Sequence, residues 1–270
     1  VYEAHEVELQ GFDSSTPRIF WTQDGVRKEL GCDFIAGCDG FHGVSRASVP
    51  AGAIRLYERV YSFGWLGILS DTPPVPDDLI YVSHERGLAL CSMRSRTRSR
   101  YYVQCSLSEQ LDEWPDERFW KELRGRLPED AARRLVTGPS IEKSIAPLRS
   151  FVAEPLRFGR LFLAGDAGHI VPPTGAKGLN LAASDVHYLA EGFVSYFKSN
   201  SSTELDGYSA RALSRVWKAE RFSWSMTKLL HRFPEEGDFG RRMQLAELDY
   251  IATSRAAQTA LAENYVGLPL

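Results

Sequence analysis

Cysteine is scarce in this chain, which has four among its 270 residues, at positions 32, 38, 91 and 105. Four thiols are too few for the disulfide framework of a small secreted domain, and the C-x-x-C pair of a zinc ribbon does not occur. No apolar run approaches the ~20 residues of a membrane helix, and residues 1–20 lack a basic and then apolar signal pattern. We therefore expect a protein of the reducing cytoplasm.

The chain also lacks an excess of charge of one sign. Lysine and arginine total 32 against 35 acidic residues, a formal net charge of −3. Nucleic-acid binding domains usually present a net basic face, so we expect neither nucleic acid nor a membrane as a partner. The hydrolase elbow G-x-S-x-G and the metalloprotease motif H-E-x-x-H do not occur. We predict no metal site and expect His169 to pack behind a turn.

The composition is that of an ordinary globular protein. Hydrophobic residues make up 43% and charged residues 25% of the chain, values that exclude a disordered protein. The chain begins at Val1, and residues 1–9 already alternate as the middle of a strand does. We therefore interpret the sequence as a piece of a longer protein.

The order of predicted elements indicates a mixed α/β fold. Asp24-Gly25 is a strong hairpin turn between strands at residues 18–23 and 26–35. Further strands are predicted at residues 59–69, 79–84, 87–95, 100–106, 141–152 and 160–165. Helices are predicted at 114–126, at 129–136 and, in three pieces broken near Asn200 and Pro234, from 179 to 262. This order predicts an α/β core, an inserted antiparallel sheet and a helical C-terminal part.

Residues 161–180, LFLAGDAGHIVPPTGAKGLN, form the most informative stretch. Asp166 follows a short apolar strand, and open α/β sheets bind ligands at the carboxyl ends of their strands. A carboxylate there can accept hydrogen bonds from sugar-like hydroxyls. The glycine- and proline-rich loop leads into a helix, whose first amides at Leu179 and Asn180 favour negative charge. The pattern predicts a ligand site rather than a plain strand–turn–helix connection.

A second loop of this kind, CDGFHGVSR at residues 38–46, also follows an apolar strand. Its glycines, serine and arginine can hold the phosphates or sugars of a dinucleotide. Taken alone, the stretch is a weak signal, because an ordinary turn has the same composition.

Alternating polar residues mark a candidate substrate site on the hairpin of residues 87–95 and 100–106. If Arg96 pairs with Arg100, then Arg94 lies opposite Tyr102, and Ser92 shares their face of the sheet. A guanidinium binds a carboxylate through two parallel hydrogen bonds, which two hydroxyls can complete. An even-length loop would present Tyr101 instead. The alternative is a surface hairpin with solvated arginines.

These stretches resemble the class A flavoprotein aromatic hydroxylases, in particular the members that act on 4-hydroxybenzoate. The matching segments are GCDGFHGVSR, RVYSFGWLG, RSRYYVQ, EKSIAPLRSF, GDAGHIVPPTGAKGLNLAASDV, WKAERFSW and ENYVGLP, spread over residues 37–269. The family opens with a strand–GxGxxG–helix unit for the FAD pyrophosphate. No G-x-G-x-x-G occurs in this chain, so we expect about the first third of such an enzyme to be missing.

The resemblance implies a partial FAD-binding Rossmann-like domain with an inserted antiparallel substrate-binding sheet. Residues 1–57 and 150–185 would be the remaining FAD-binding part, 58–149 the substrate-binding sheet, and 186–270 a helical interface region. The implied reaction is the hydroxylation of 4-hydroxybenzoate to 3,4-dihydroxybenzoate with NADPH and dioxygen. A homodimer is expected, since the C-terminal helices carry aromatic residues at positions 217, 222, 224 and 233.

The resemblance also implies roles for individual residues. Tyr81 and Tyr265 would form a relay that removes the phenolic proton of the substrate. The implied substrate contacts are Tyr81, Ser92, Arg94, Tyr102 and the carbonyl of Pro173. The implied FAD contacts are Asp39, Asp166, Lys177, Leu179, Asn180 and Arg100, and the implied NADPH contacts are His42, Arg46 and Arg149.

Three other hypotheses stay open at this point. A relative could act on another carboxylated phenol, such as 3-hydroxybenzoate or salicylate. The chain could be an inactive fragment that binds aromatic acids only weakly, and retention of FAD separates this hypothesis from the enzyme. An RNA- or protein-binding module would use the arginine-rich hairpin, but the net charge of −3 does not supply the basic field that it needs.

Overall fold

The computed structural model of the chain describes residues 3–75 and 79–267. These residues form two compact units. The first comprises residues 3–59 and 149–224, and the second comprises residues 60–75, 79–148 and 225–267. The three-part division predicted from the sequence stays a prediction.

The described residues form strands in the first half of the chain and long helices in the second. The strands are β1 (His5–Gln10), β2 (Arg18–Gln23), β3 (Val26–Gly31), β4 (Ile35–Gly37), β5 (Arg55–Ser70), β6 (Ile80–His84), β7 (Gly87–Ser95), β8 (Arg98–Ser106), β9 (Ser140–Glu154), β10 (Arg157–Phe158), β11 (Leu161–Leu163) and β12 (His169–Ile170). The α-helices are α1 (Val44–Ala47), α2 (Asp116–Arg126), α3 (Glu129–Arg134), α4 (Gly178–Ser199), α5 (Thr203–Leu230), α6 (Gly237–Thr253) and α7 (Arg255–Val266).

The predicted hairpin between β2 and β3 is confirmed. Gln23 pairs directly with Val26 across a two-residue turn. Asp24 and Gly25 both have positive φ, 51° and 73°, as the turn type favoured in hairpins requires. The second arm is shorter than predicted, because β3 ends at Gly31. Residues 35–37 form a separate strand in another sheet.

A short parallel pair of strands forms the centre of the first unit. Strand β4 pairs with β11, with Leu163 opposite Gly37. All three residues of β11 are buried, as predicted for the apolar run before Gly165. Both strands therefore end at the same edge of the sheet, the edge at which α/β folds bind ligands.

The second unit is built on an antiparallel sheet with one face covered by helices α2 and α3. Strands β5, β8, β7 and β6 follow one another as antiparallel neighbours. Ile68, Cys91 and Tyr101 lie on the face that packs against Phe119 and Leu123 in a buried apolar cluster. The two-residue period of strands directs the even-numbered residues of β7 and β8 to the opposite face.

The C-terminal helices differ from the prediction in number. The breaks near Asn200 and Pro234 are confirmed, since Asn200 has φ 51° after α4 and Pro234 opens a turn of 3-10 helix. A third break at Ser254 divides the last predicted helix into α6 and α7. The Ser254 side chain accepts a hydrogen bond from the Ala257 amide and caps α7.

The aromatic residues of helix α5 and the turn after it divide between interior and surface. Phe222 and Phe233 are buried. Trp217 and Trp224 keep 37% and 41% of their surface exposed. Only part of the aromatic set therefore belongs to the core.

Candidate active site

Asp166 lies at the end of β11 within a tight 3-10 turn, Gly165–Ala167. Gly165 has φ +60°, a conformation that is costly for residues with a Cβ atom. The side chain of Asp166 is exposed, between two buried residues. The turn therefore presents a carboxylate to solvent from a fixed backbone.

A buried pair behind this turn fixes its geometry. The Gly165 amide donates to Asp185 Oδ2 over 2.8 Å, and His169 Nε2 lies 2.6 Å from the same oxygen. Both side chains of the pair are almost wholly buried. His169 thus packs behind the turn, as predicted.

The loop after the turn leads into the N-terminus of helix α4. Pro173 is exposed in a 3-10 turn, and Ala176 takes a left-handed conformation with φ 52°. Helix α4 begins at Gly178 and has no acidic residue in its first turn. Leu179 and Asn180 are exposed there, so the positive end of the helix dipole faces outward.

Lys177 precedes this helix and is 94% buried, with an exposed fraction of 6%. Its ammonium lies 5.3 Å from the centre of the Phe222 ring, a cation–π distance. Burial lowers the pKa of Lys177, and the nearby Arg215 charge acts in the same direction. The ammonium is therefore a positive charge whose partial desolvation strengthens its attraction for an anion.

Asp39 lies at the end of β4, at the same edge of the sheet as Asp166. Its Oδ2 accepts a hydrogen bond of 2.8 Å from the amide of Ser45. A Cβ atom at Gly43 would lie only 2.0 Å from the Asp39 carboxyl carbon. Gly43 is therefore required for the carboxylate to cap the start of α1.

The three residues predicted to contact NADPH gather around one aromatic ring. The guanidinium carbons of Arg46 and Arg149 lie 4.7 and 4.3 Å from the centre of the Phe41 ring. The His42 ring lies 5.0 Å from the same centre. Arg149 also pairs with Glu58 over 3.2 Å. Two guanidinium groups and an imidazole thus lie together around Phe41, within or beside the loop of residues 38–46.

In the second unit, strand register brings three of the predicted substrate residues, Tyr81, Ser92 and Tyr102, to one face of the sheet. Tyr81 lies opposite Leu90, which in turn lies opposite Tyr102. Ser92 lies opposite Arg100 in the next row of that face. Tyr101, the alternative to Tyr102, is wholly buried on the other face.

The predicted pairing of Arg94 with Tyr102 is wrong. Met93 pairs with Ser99 and Ser95 with Arg98, so the strand has a bulge with the extra residue at Arg94. Arg94 is exposed. Arg100 instead adjoins Tyr102, whose hydroxyl accepts a hydrogen bond of 3.2 Å from Arg100 Nε. Arg100 also pairs with Glu142 over 2.9 Å.

Tyr81 and Tyr265 are brought into contact although 184 positions separate them in the chain. A side-chain hydrogen bond joins them, and Tyr81 on β6 is partly buried. Burial raises the pKa of Tyr81, and the bond to Tyr265 raises it further. The two side chains therefore connect the sheet face to helix α7 by a hydrogen bond.

Sequence reasoning assigned no role to Trp65, which lies beside Tyr102 with 4.9 Å between ring centres. Gly67, two residues further along β5, makes room for the phenol. A Cβ atom there would lie 2.5 Å from the Tyr102 ring. The spacing of a tryptophan and a glycine on one strand face is the only sequence signal for this contact.

The residues of the first unit fit the flavin part of FAD. An exposed carboxylate at Asp166 can accept from ribityl hydroxyls. The N-terminus of α4, which has no acidic residue in its first turn, suits a ring that gains negative charge on reduction. A Cβ atom at Gly178 would meet no atom within 4 Å, so there is open space beside the first residue of the helix. The donor set matches the flavin and ribityl groups.

No group of three or more His, Cys, Asp or Glu side chains in the part of the chain that the structure describes could hold a metal ion. None of the helices in that part of the chain is long and apolar enough to cross a membrane.

Comparison with known proteins gives a relative that matches nearly the whole chain. The chain is 59% identical over 268 residues to the p-hydroxybenzoate hydroxylase of Acinetobacter baylyi. The match covers 99% of this chain and 66% of that enzyme. A para-nitrophenol 4-monooxygenase of a Pseudomonas species is 38% identical over 95 residues, 33% of this chain and 24% of the relative.

Solved structures share the fold at low sequence identity. The p-nitrophenol 4-monooxygenase of Pseudomonas putida superimposes with a TM-score of 0.70 at 18% identity, covering 99% of this chain and 67% of that one. An aklavinone-11 hydroxylase, solved with FAD and aklavinone, gives 0.69 at 19% identity over 84% of this chain and 43% of that one. The predicted fold class is confirmed. Residues 1–223 match the family model described as FAD binding domain, and the chain belongs to this family of flavoproteins.

Proposed function

We propose that the full-length protein is an FAD-dependent monooxygenase that converts 4-hydroxybenzoate to 3,4-dihydroxybenzoate with NADPH and dioxygen. The observation that carries this proposal is the partly buried Tyr81 side chain, hydrogen-bonded to Tyr265 on the face of the sheet that also bears Ser92 and Tyr102. The identity of 59% to a p-hydroxybenzoate hydroxylase supports the same substrate class. Since the chain spans 66% of that relative, the activity is assigned to the whole protein.

The carboxylate of the substrate would be held at the β7–β8 hairpin. Ser92 and Tyr102 supply hydroxyls on one face of the sheet, and Arg94 supplies a guanidinium from the bulge next to them. Arg94 is exposed, so its guanidinium is open to a carboxylate that enters from solvent. A bidentate arginine contact would fix the orientation of the ring as well as bind the charge. The carbonyl of Pro173 is proposed to accept from the phenolic hydroxyl.

Tyr81 and Tyr265 would move the phenolic proton of the substrate away. Burial and the bond to Tyr265 raise the pKa of Tyr81, so its hydroxyl stays protonated. It would therefore accept the phenolic proton of the substrate only while it passes its own proton to Tyr265. A phenolate ring is much more nucleophilic at the position beside its oxygen than the neutral phenol. The tyrosine pair therefore activates the ring for hydroxylation, and the second hydroxyl carries the proton onward.

Cofactor binding is proposed for the loops at the carboxyl ends of β4 and β11. Asp166 would hold the ribityl chain, and the amides of Leu179 and Asn180 would stabilise negative charge on the reduced ring. Asp39, Lys177 and Arg100 are the further FAD contacts. When bound, the reduced flavin supplies the electrons that activate dioxygen for the hydroxylation.

NADPH binding is proposed at the cationic cluster around Phe41. His42, Arg46 and Arg149 can meet a pyrophosphate and a 2′-phosphate, because guanidinium groups bind phosphate oxygens in pairs. Arg149 is paired with Glu58 over 3.2 Å. Binding of a phosphate there would replace one anionic partner by another.

The protein is further proposed to act as a homodimer in the cytoplasm. Helix α6 exposes Phe239, Met243 and Tyr250, whose spacing of four and seven residues places them on one side of the helix. An apolar stripe of this kind suits a self-complementary contact. Light scattering of the full-length protein should give twice the chain mass, and a monomer would contradict this part of the proposal.

The function is tested by NADPH oxidation in the full-length protein loaded with FAD. We expect 4-hydroxybenzoate to stimulate oxidation, and 3-hydroxybenzoate and salicylate to stimulate it far less. Stimulation by one of the other two acids instead would support a flavoprotein hydroxylase that has that acid as its substrate. Failure of the full-length protein to retain FAD would exclude the hydroxylase.

A further inference from the structure

His231 follows the C-terminal end of helix α5 and is completely buried in the second unit. Its ring stacks on Phe63 with 4.7 Å between centres and 15° between planes. The Trp65 ring is nearly parallel to it, at 5.9 Å and 14°. Three flat side chains thus form one stack beside the substrate face of the sheet.

Two hydrogen bonds determine which ring nitrogen of His231 carries the proton. Nδ1 lies 3.0 Å from the Thr227 carbonyl oxygen, which can only accept, so Nδ1 donates. Trp65 Nε1–H can only donate, and it lies 2.7 Å from His231 Nε2, which therefore accepts. Burial lowers the pKa of His231 to about 3, so the ring stays neutral and Nε2 stays an acceptor.

Trp65 transmits this arrangement to the predicted substrate residues. Its ring lies 4.9 Å from the ring of Tyr102, which packs over the bare backbone of Gly67. The Tyr102 hydroxyl accepts from Arg100 Nε. A rotation of the indole would therefore shift the phenol and the guanidinium bonded to it.

The backbone around His231 is held by two buried amides. Gln104 on β8 donates to the Arg232 carbonyl over 2.8 Å and accepts from the Arg232 amide over 3.0 Å. Gln244 on α6 donates to the His231 carbonyl over 2.5 Å. The end of α5 is thus fixed to the sheet, and the imidazole cannot follow a moving indole.

We propose that His231 is a positioning residue, which sets the orientation of Trp65 and thereby holds Tyr102 in place to receive the substrate carboxylate. This inference rests on the proposed function, because Tyr102 is assigned to substrate binding there. His231 itself is not proposed to touch the substrate or the cofactor.

The test compares two substitutions in the full-length protein loaded with FAD. In His231→Gln, the side-chain oxygen can reach the place of Nε2 and accept from Trp65. His231→Asn reaches only the place of Nδ1 and leaves the indole N–H unpaired. The dissociation constant of 4-hydroxybenzoate, kcat and the midpoint of thermal unfolding are measured for both. His187→Gln, at an exposed position on α4, is the matched control.

We expect His231→Asn to weaken substrate binding about tenfold while His231→Gln stays within about threefold of the wild type. The control should change nothing. Trp65→Phe removes the indole N–H, so adding His231→Asn to it should not weaken binding further. A buried histidine that only stabilises the fold would lower the unfolding midpoint in both variants without this difference in binding.

Each contrary result has a separate meaning. If both His231 variants bind 4-hydroxybenzoate as the wild type does, or if the effects of His231→Asn and Trp65→Phe add, the positioning role is wrong and the proposed function stands. If the wild type itself does not bind 4-hydroxybenzoate, the proposed function is wrong, and the positioning role of His231 is then wrong as well.

Discussion

At the scale of single residues, the hydroxyl of Tyr81 is the group on which the proposed chemistry depends most. Tyr81→Phe keeps the ring and removes the hydrogen bond to Tyr265. We expect kcat to fall about a hundredfold, the size of a lost proton transfer, while the dissociation constant of 4-hydroxybenzoate changes less than about threefold. Stopped-flow kinetics measure the first quantity and absorbance titration the second.

Tyr250→Phe is the control for this experiment. Tyr250 lies on α6 with 54% of its surface exposed, so the loss of its hydroxyl should leave both quantities unchanged. An unaltered kcat in Tyr81→Phe would remove the tyrosine pair from the mechanism.

Arg94 has the proposed role that the structure supports least directly. It is exposed at the bulge of β7, yet it is proposed to bind the carboxylate of the substrate. We expect Arg94→Ala to raise the dissociation constant of 4-hydroxybenzoate about a hundredfold, because a bidentate charge pair is lost. Arg96→Ala, in the turn of the same hairpin, should leave it within about twofold.

A large loss of affinity in Arg96→Ala with none in Arg94→Ala would move the carboxylate site along the hairpin. Equal losses in both variants would indicate attraction by the general positive charge of the hairpin rather than a specific contact.

At the scale of elements, the β2–β3 hairpin depends on a backbone that favours glycine. Gly25 has φ 73°, and a left-handed conformation costs residues with a Cβ atom about 1–2 kcal/mol. Gly25→Ala should therefore lower the free energy of unfolding by about 1 kcal/mol in urea titrations. Gly31→Ala, where a Cβ atom meets no neighbour and φ is not positive, should change it by less than about 0.5 kcal/mol.

Helix α5 carries a buried acid that makes stability depend on pH. Glu220 is 93% buried, with an exposed fraction of 7%. Burial raises its pKa to about 7 from an ordinary value of 4.5, against the opposing effects of a hydrogen bond from Ser150 and the charge of His169. A raised pKa in the folded state means that its contribution is complete below pH 4.5 and is lost as pH rises through about 7.

Glu220→Gln isolates this effect, because the amide cannot ionise. Relative to the wild type, the variant should gain unfolding free energy between pH 5 and pH 8, by up to about 3 kcal/mol. Urea titrations at the two pH values measure the difference. A constant difference between the two proteins across this range would show that Glu220 does not titrate there.

Helices, strands and turns that have a characteristic local sequence could be predicted. The exact register between paired strands could not. Asp24-Gly25 marks its hairpin because only a few residues accept positive φ. The bulge at Arg94 adds one residue to one strand and leaves the alternation of side chains almost unchanged, so no pattern in β7 reveals it. The break at Ser254 was missed because good helix formers continue on both sides and a capping serine is the only sign.

At the scale of the whole molecule, the sequence predicts which residues form the candidate sites. It does not predict which distant side chains contact them. The loops after β4 and β11 could be recognised because each follows an apolar strand. The contact between Trp65 and His231 joins residues 166 positions apart, and no local feature of either segment indicates it. The same is true of the buried pair of His169 and Asp185, which holds the turn bearing Asp166.

The most direct test of the proposed hydroxylation measures whether oxygen from dioxygen enters the product. Full-length protein loaded with FAD is supplied with NADPH, 4-hydroxybenzoate and isotopically labelled dioxygen, and the product is analysed by mass spectrometry. We expect 3,4-dihydroxybenzoate that carries one labelled oxygen atom, with one NADPH consumed for each product molecule. Oxidation of NADPH without labelled product, or no oxidation by protein that holds FAD, would contradict the proposed hydroxylation.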